Sequence, residues 1–515
     1  MRPAADPAAP TPTAPVRDPV PAARRRRTWT RGAPLLLVLA AVAFAVHAPS
    51  LTNRSFNSDE AYAATQAQAI NRGGRLYVDT VDRKPPVVPY LYAATFGVTG
   101  SDDLLGLRLL AVVADIVTAL LLAAEARRRF RADRAGLIAG VLFLGASGAF
   151  YATDFQTANF EVFMAPFMVA AFVLAVRQRP AAAGVAVGAA TLTKQTGVYT
   201  LLPVAWLVWR GGSGGAARAR RLAVLAAATL APIAVAAALF GPHDFLTWVF
   251  TGNGGYLSVN GALGYVVHRG LVQTLWFVLA NIGLVVLALV AVRAGRTDVD
   301  LWLWVGAGIV AVVTGLRFFG HYYLQLLPPL ALLATRPIVH ASRRVLAAVA
   351  IVVAVPVGFF VHQAFAMPRS HTEQVTDDLV AYVRRTVPPG ERIFVWGHLP
   401  EVYWRSGRPP ATRFETAEFL TGLSGGRPND LTGEHDAAPG AWTDFDADLA
   451  AHPPALVLDL APADVRGGRY EELSRFPRFG QYLAHRYRLV ATIDGVVAYR
   501  RRLNVMKGGP PPVRS

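Results

Sequence analysis

Residues 53–92 read NRSFNSDEAYAATQAQAINRGGRLYVDTVDRKPPVVPYLY, and within them Asp59, Glu60 and Lys84 are of types that could do chemistry together. Asn57 or Ser58 can cap a helix from Asp59 to about Arg72, and Gly73-Gly74 can end it, so both acids fall in its first turn. Two carboxylates there could simply complement the helix dipole, as they commonly do in soluble proteins. Here an apolar run of near membrane length, residues 33–50, comes just before them. That puts the acids at the lipid boundary, where ionised groups are costly and usually functional. Lys84 precedes Pro85-Pro86, whose fixed dihedrals hold the chain extended and stop a helix from running through. An ammonium stiffened at that depth suits a phosphate group; the plainer alternative is a lysine that snorkels to the headgroups.

Other polar residues stand in comparable places. Arg317 and His321 sit beside Tyr322 and Tyr323, where an arginine fork would fit phosphate oxygens, or where the tyrosines form an interfacial belt with Arg317 as a snorkeller. Lys194, in TKQTG, is a further cation of the same kind. Asp154 and Glu161 read as a second acidic site shaping an acceptor pocket, as ligands of a divalent metal, or as solvated loop acids at a helix start. Trp396, Tyr403 and Trp404 could stack on a sugar ring, although such residues are more often core.

The elements that must position these residues are membrane helices. With 53% hydrophobic and 17% charged residues in 515, the chain is too apolar for a string of soluble domains. A charge of +17 would suggest nucleic acid if the arginines were gathered on one segment, but they lie in short runs between apolar stretches, so no nucleic-acid partner is expected. The absence of cysteine excludes disulfides, thiolate metal sites and cysteine nucleophiles. About eleven spans are expected, near 33–50, 104–124, 135–151, 160–176, 181–193, 198–209, 222–240, 271–292, 301–316, 322–335 and 345–362. The first would also suit a signal-peptide core, which leaves the sidedness of later loops unchanged. Segments 181–193 and 198–209 read either as one bent helix or as two thin ones broken at TKQTG.

Residues 1–30, rich in Pro, Ala and Arg, read as a disordered basic cytoplasmic tail. With the N-terminus inside, every inner loop is basic, carrying Arg127–Arg129, Arg131, Arg134, Arg177, Arg179, Arg210, Arg218, Arg220, Arg221, Arg293, Arg296, Arg336, Arg343 and Arg344. The outer loops, 51–103, 152–159, 241–270 and 317–321, collect the acids, amides and aromatics. Beyond residue 366 the pattern changes to short β-branched or aromatic runs, RIFVWG, ALVLDL and VVAYR, between helix-like and Pro/Gly-rich stretches. The organisation expected is therefore an α-helical multi-pass domain over 31–366 and an extracytoplasmic α/β domain over 367–515, which could cover the acidic loops.

The stretch SDEAYAATQAQAINRGGRLYVDTVDRKPPVVPYLY resembles the first periplasmic loop of GT-C fold glycosyltransferases, the superfamily of protein O-mannosyltransferases, lipid A aminoarabinose transferases and rhizobial lipopolysaccharide sugar transferases. The order is Asp-Glu, a short amphipathic helix ending in Gly-Gly, an aromatic, then Lys-Pro-Pro. TDFQTANFEVFMAPF, LTKQTG and RFFGHYYLQLLPPLALLA extend the likeness over most of residues 33–366 with weaker matches.

The resemblance implies inverting transfer of a sugar from a polyprenyl-phosphate carrier, at the outer face of a bacterial plasma membrane, to a hydroxyl or amine on a cell-envelope lipid, glycan or protein. Asp59 falls on the family's catalytic aspartate, with Glu60 beside it. Desolvation would raise the Asp59 pKa towards values where it accepts a proton. Lys84 would hold the departing phosphate, Arg317, His321 and Lys194 would be further phosphate contacts, and Asp154 and Glu161 would shape the acceptor side. No cofactor is expected; a divalent metal on Asp154 or Glu161 is the alternative, and it would need several converging carboxylates. The sequence departs from the aminoarabinose branch in having DEAYAA where that branch carries a basic residue, so that donor does not carry over. A transporter or flippase of polyprenyl-linked sugars is the alternative; it would place ionisable residues at mid-bilayer and show related halves.

Overall fold

In the computed structural model, residues 22–52, 57–251, 262–293, 298–425, 427, 428 and 431–502 are described. The N-terminal part is a helical bundle that opens with α1 (Ala22–Thr52), α2 (Ser58–Asn71), α3 (Val87–Thr99), α4 (Leu105–Phe130), α5 (Asp133–Gly148) and the short α6 (Ala152–Phe155). It continues through α7 (Phe160–Val176), α8 (Pro180–Thr193), α9 (Leu201–Arg210) and α10 (Gly215–Phe240), then the helices Pro242–Val249, Leu263–Ala280, Ile282–Arg293, Val299–Thr314, Leu327–Ile338 and Arg343–Ala366. Among the described residues five helices are long and apolar enough to cross a membrane, in α1, α4 and α10, over Leu263–Ala280 and from Arg343. Shorter apolar helices, including α7, α8 and Val299–Thr314, complete the bundle.

Three local readings change, and one open choice is settled. The helix of the first span begins at Ala22, not near 31, because the Ala-Arg run before it favours helix; the rest of the expected tail, 1–21, lies outside the described residues. Pro85-Pro86 do not hold the chain extended. Pro86 takes αR dihedrals (φ −78°, ψ −16°) and starts α3, a helix hidden inside the expected outer loop, because a proline needs no N–H partner at a helix start. The segments 181–193 and 198–209 form two helices, joined by a 3-10 turn over Gln195–Thr200. The span expected at 271–292 starts at Leu263 and breaks at Asn281, whose amide donates to the Ala149 carbonyl at 3.2 Å.

Small residues set the tightest contact in the bundle. On α8, Gly184 and Gly188 lie one turn apart, and a Cβ at either would come within 2.6 Å of α10 backbone oxygens, Leu225 O and Thr229 O. Close backbone approach of this kind is how helices associate where lipid removes the hydrophobic drive.

Charge separates the two ends of the bundle. At one end Arg129 meets Glu125, Asp298 and Asp300, and Arg336 meets Asp298 at 2.8 Å, tying α4 to two later helices. Residues 58–86, Lys194 and His321 gather at the other. The spans between are not free of charge: Asp115 on α4 and His47 on α1 form a buried pair at 2.9 Å.

From His371 to Arg502 the chain builds an α/β unit on that second end, as the three β-rich runs led one to expect. Its strands β1 (Ile393–Trp396), β2 (Leu456–Asp459), β3 (Tyr487–Ile493) and β4 (Val496–Arg501) lie in the order β1-β2-β4-β3, with β1 and β2 parallel and the other pairs antiparallel. Alternate residues divide two cores, as the period of two requires. Ile393, Val395, Leu456 and Leu458 face Val375, Leu379 and Val383 of the helix His371–Thr386, while Phe394, Trp396 and Val457 pack with Phe445 and Phe479. Trp396 and Tyr403 are thus core residues, and Trp404 donates its indole N–H to the Asp102 carbonyl at 2.8 Å; none of the three faces a sugar-sized space. The unit is fastened to the first loop by Thr65 to Pro400 O (3.2 Å), Gln68 to Trp404 O (3.1 Å), Val81 N–H to Arg413 O (3.1 Å) and Thr80 to Glu415 (2.7 Å).

Candidate active site

The first turn of α2 fixes two adjacent acids in different surroundings. Asn57 caps the helix by accepting the Asp59 N–H at 2.8 Å, and its own amide donates to the Thr153 carbonyl at 2.6 Å. Glu60, 1% exposed, points into the bundle and takes a bidentate grip from Arg108 (2.8 and 3.1 Å) plus the Ala158 N–H (2.9 Å). Asp59 points the other way, into a cavity of about 500 Å³ between the bundle end and the α/β unit. The reading of Glu60 as a catalytic partner of Asp59 is therefore corrected: its bonds hold the turn on which Asp59 rides, and it does not line the cavity.

Lys84 reaches Asp59 across the cavity floor, Nζ to Oδ1 at 3.0 Å, with its ammonium 4.6 Å from the centre of the Phe160 ring. Both side chains keep about a quarter of their surface, 27% and 26%, so a solute in the cavity can touch either. The segment that carries the lysine is braced on both flanks. Tyr62 OH donates to Val81 O at 3.2 Å, Tyr77 OH to Lys84 O at 2.9 Å, and the Gln195 amide to Arg83 O.

A second set of charges stands beside this pair. His321 bonds Asp154 through Nδ1 at 2.7 Å, while its Nε2 lies 4.0 Å from Asp59 and 3.9 Å from Glu161. Glu161 also pairs with Lys194, whose ammonium lies 4.1 Å from the centre of the Tyr322 ring. Phe319 stacks on the His321 imidazole, and Gly320 is there because a Cβ would come 2.5 Å from Asp154 Oδ2. Burial alone would push Asp59 up, but Lys84 and then His321 outweigh it and hold the carboxyl well below the usual carboxylate range. The expected upward shift is thus reversed, because desolvation acts on an ion pair and not on a lone carboxylate. Burial would lower His321, yet Glu161 and Asp154 raise it. Burial lowers Lys194 despite Glu161, and pushes Asp82 up to about 6.

Of the residues expected from sequence, Asp59, Lys84, Asp154, Lys194 and His321 line the cavity together. Glu161 lies just behind it, contacting Lys194 and His321. Arg317 is fully buried and does not line the cavity, which separates it from the phosphate contacts expected of it; its backbone carbonyl accepts Arg269 at 2.6 Å. Sequence reasoning missed Asp82 and Arg83, although they adjoin Lys84 in the same motif. It also missed the roof: Glu418, bonded to Arg83 at 2.7 Å, with His398 and Arg466. These three stand more than 300 positions from Lys84 with no motif around them to mark them.

Asp59, Asp154 and Glu161 each already face an ammonium or imidazole, and among the described residues no three His, Asp or Glu gather as a ligand group.

Two comparisons bear on this arrangement. The family model described as dolichyl-phosphate-mannose-protein mannosyltransferase matches residues 83–240, from the lysine motif to the end of α10. Among solved structures, ArnT from Cupriavidus metallidurans in the apo state aligns at a TM-score of 0.58 and 16% identity, covering 95% of this chain and 100% of that one. The chain has the GT-C fold. ArnT bound to undecaprenyl phosphate aligns at 0.55 and 16%, covering 92% and 99%. The Archaeoglobus fulgidus oligosaccharyltransferase in complex with Zn and sulfate aligns at 0.52 and 14%, covering 91% of this chain and 74% of that one. No curated protein matches the sequence. At 92–95% of the chain, the ArnT alignments are too long to stop at the bundle and must take in most of the α/β unit as well.

Proposed function

We propose that this chain is a membrane glycosyltransferase that moves a sugar from a polyprenyl-phosphate carrier to an acceptor hydroxyl or amine on the outer face of the membrane. The observation that carries the reading is the Asp59–Lys84 pair at 3.0 Å in the floor of the cavity, a base and a phosphate-sized cation within one reacting distance. The GT-C fold and the match to a mannosyltransferase family model support it, as does undecaprenyl phosphate in the similar ArnT.

The acceptor oxygen or nitrogen attacks the anomeric carbon on the face away from the phosphate. The bond from that carbon to the phosphate oxygen breaks, its electron pair leaves with the polyprenyl phosphate, and the acceptor's proton passes to Asp59. A cation preplaced where phosphate charge develops lowers the barrier more than it tightens the ground state. Held so low by Lys84, Asp59 is a weak base in the empty site. A donor phosphate changes that by sharing the ammonium and adding its own negative charge. A unit charge at about 4 Å in a medium of effective dielectric about 20 is worth about 4 kcal/mol, or about three pKa units. The donor thus makes the base that its own reaction needs. Lys194 extends the positive wall, as does His321, whose pKa Glu161 and Asp154 raise, and those two acids hold the pair in place.

Radiolabelled sugar carried on polyprenyl phosphate, offered to the protein in proteoliposomes with an envelope extract as acceptor, is expected to appear covalently on an acceptor. A transporter would move the label across the bilayer still attached to its lipid. The orientation of the site, with the N-terminus inside and the α/β unit outside, has a separate check in this cysteine-free chain. Ser474→Cys in the α/β unit is expected to react with an impermeant thiol reagent on intact cells and Ser213→Cys, at the other end of the bundle, only after lysis; the reverse would abolish the outer-face reading.

The pH dependence follows from the local charges. Asp59 stays ionised through the mildly acidic range, so a rise in transfer through about pH 6 is assigned to Asp82 and is expected to vanish in Asp82→Asn. A fall on the alkaline side is expected as His321 loses its proton. An acidic limb that survives Asp82→Asn would show another group in control.

A further inference from the structure

Almost every charged side chain in the cavity is already matched. Lys84 has Asp59, Lys194 has Glu161, His321 has Asp154, Arg83 has Glu418, and Arg466 has Glu401 at 2.7 Å. Asp82 is the exception. It is only 6% exposed, lines the cavity, and among the described residues its one hydrogen bond is from the neighbouring Arg83 N–H to Oδ1, at 2.6 Å. That bond fixes the carboxylate but uses one of about four acceptor positions, and no side chain from another element takes the rest. A carboxylate kept out of solvent and out of any ion pair is costly unless something else satisfies it.

Its place relative to Lys84 says what that something is. Two residues along a chain, the Cα atoms are at most about 7 Å apart, and both side chains open on the same cavity. If Lys84 holds the phosphate, the sugar attached to that phosphate has its ring hydroxyls within Asp82's reach. Hydroxyls are donors and a carboxylate is purely an acceptor, so the two match without any further charge. Lys84 opposes the charge of Asp82 while Glu418 and Asp59 add to it, so the neutral hydroxyls of the sugar, and not its phosphate, are what Asp82 can take.

We infer that Asp82 reads the ring hydroxyls of the transferred sugar and sets which sugar the enzyme accepts. The inference rests on the glycosyltransferase reading above and adds to it the residue that discriminates among donors. A site built to hydrogen-bond a substrate hydroxyl rejects the analogue lacking it far more strongly than an apolar pocket does, because its polar group is left buried and unpaired.

The test uses polyprenyl-phosphate donors carrying glucose, mannose or galactose, which differ in the orientation of single hydroxyls, with polyprenyl phosphate bearing no sugar as a competitor. The wild-type protein is expected to rank the three donors over about 100-fold or more in kcat/KM. Asp82→Ala is expected to compress that range to within about tenfold while the sugarless competitor inhibits as before, since Lys84 is untouched. Asp82→Asn, which keeps the shape and one acceptor oxygen, is expected to fall between. An unchanged spread in Asp82→Ala would overturn the inference and leave the glycosyltransferase reading intact. So would a uniform loss for all donors together with loss of inhibition by the competitor, because that marks a structural role. No transfer by the wild-type protein from any donor would overturn both.

Discussion

Asp59→Asn is expected to lower sugar transfer by about 10²- to 10⁴-fold, the usual contribution of a positioned general base, while the protein still binds polyprenyl phosphate. The amide has the shape of the carboxylate, so the Asn57 cap, which bonds the backbone at residue 59, stays as it is. What goes is the proton acceptor. The substitution also frees the Lys84 ammonium from its partner at 3.0 Å, so affinity for the lipid phosphate should hold or rise as turnover falls. This opposed movement of binding and rate is hard to produce by misfolding. Measuring transfer and lipid-phosphate competition on the same preparation checks it, and a variant that transfers sugar at the wild-type rate would remove Asp59 from the mechanism. Asp59→Glu should not restore activity, because one more methylene pushes the carboxylate into the cation.

The second large effect concerns stability. Arg108→Met is expected to cost about 3–5 kcal/mol, the typical penalty for leaving one member of a buried ion pair alone. Glu60 has 1% of its surface exposed, and Arg108 also donates to the Ser50 carbonyl at 2.6 Å, so one side chain holds the end of α1, the start of α2 and its own helix α4. Glu60→Gln should be milder, since a neutral amide can keep the Ala158 N–H bond. The double change Glu60→Gln with Arg108→Met should be less destabilised than Arg108→Met alone, because no charge is then left unpaired. Thermal unfolding in detergent compares the four proteins. If the single and double variants lose the same stability, the pair is not what holds that corner.

What could be read from the sequence follows physical reach along the chain. The Asn57 cap, the Gly73 stop with its φ of +90° and the three β-rich runs are local signals, and each forms where its residues are. Helix α3 was hidden because Pro85-Pro86 serve equally to end a helix or to begin one, and only packing against α2 and α4 decides between them. The opposed directions of Asp59 and Glu60 were equally out of reach: adjacent residues on a helix face apart, but which one meets Arg108 depends on where α4 crosses. The direction of the Asp59 pKa failed for a related reason. Burial could be inferred from a boundary position, whereas the distance to Lys84 could not. Glu418, His398 and Arg466 come from a part of the chain that meets the loop only after the whole molecule has folded.

The late position of these roof residues bears on how the protein is made. The segment carrying Lys84 is held from above by Glu415 and Glu418, which bond Thr80 and Arg83 from 335 positions later in the chain. Ribosomes deliver the N-terminal part first, so the bundle and both reacting groups exist well before their roof. On the proposed function, the nascent protein therefore holds a lysine loop braced by Tyr62, Tyr77 and Gln195 but still without its roof, and competence arrives late, when roughly the last quarter of the polypeptide has settled on it. On that reading, a chain released early would be inserted in the membrane with its reacting pair in place and its roof missing.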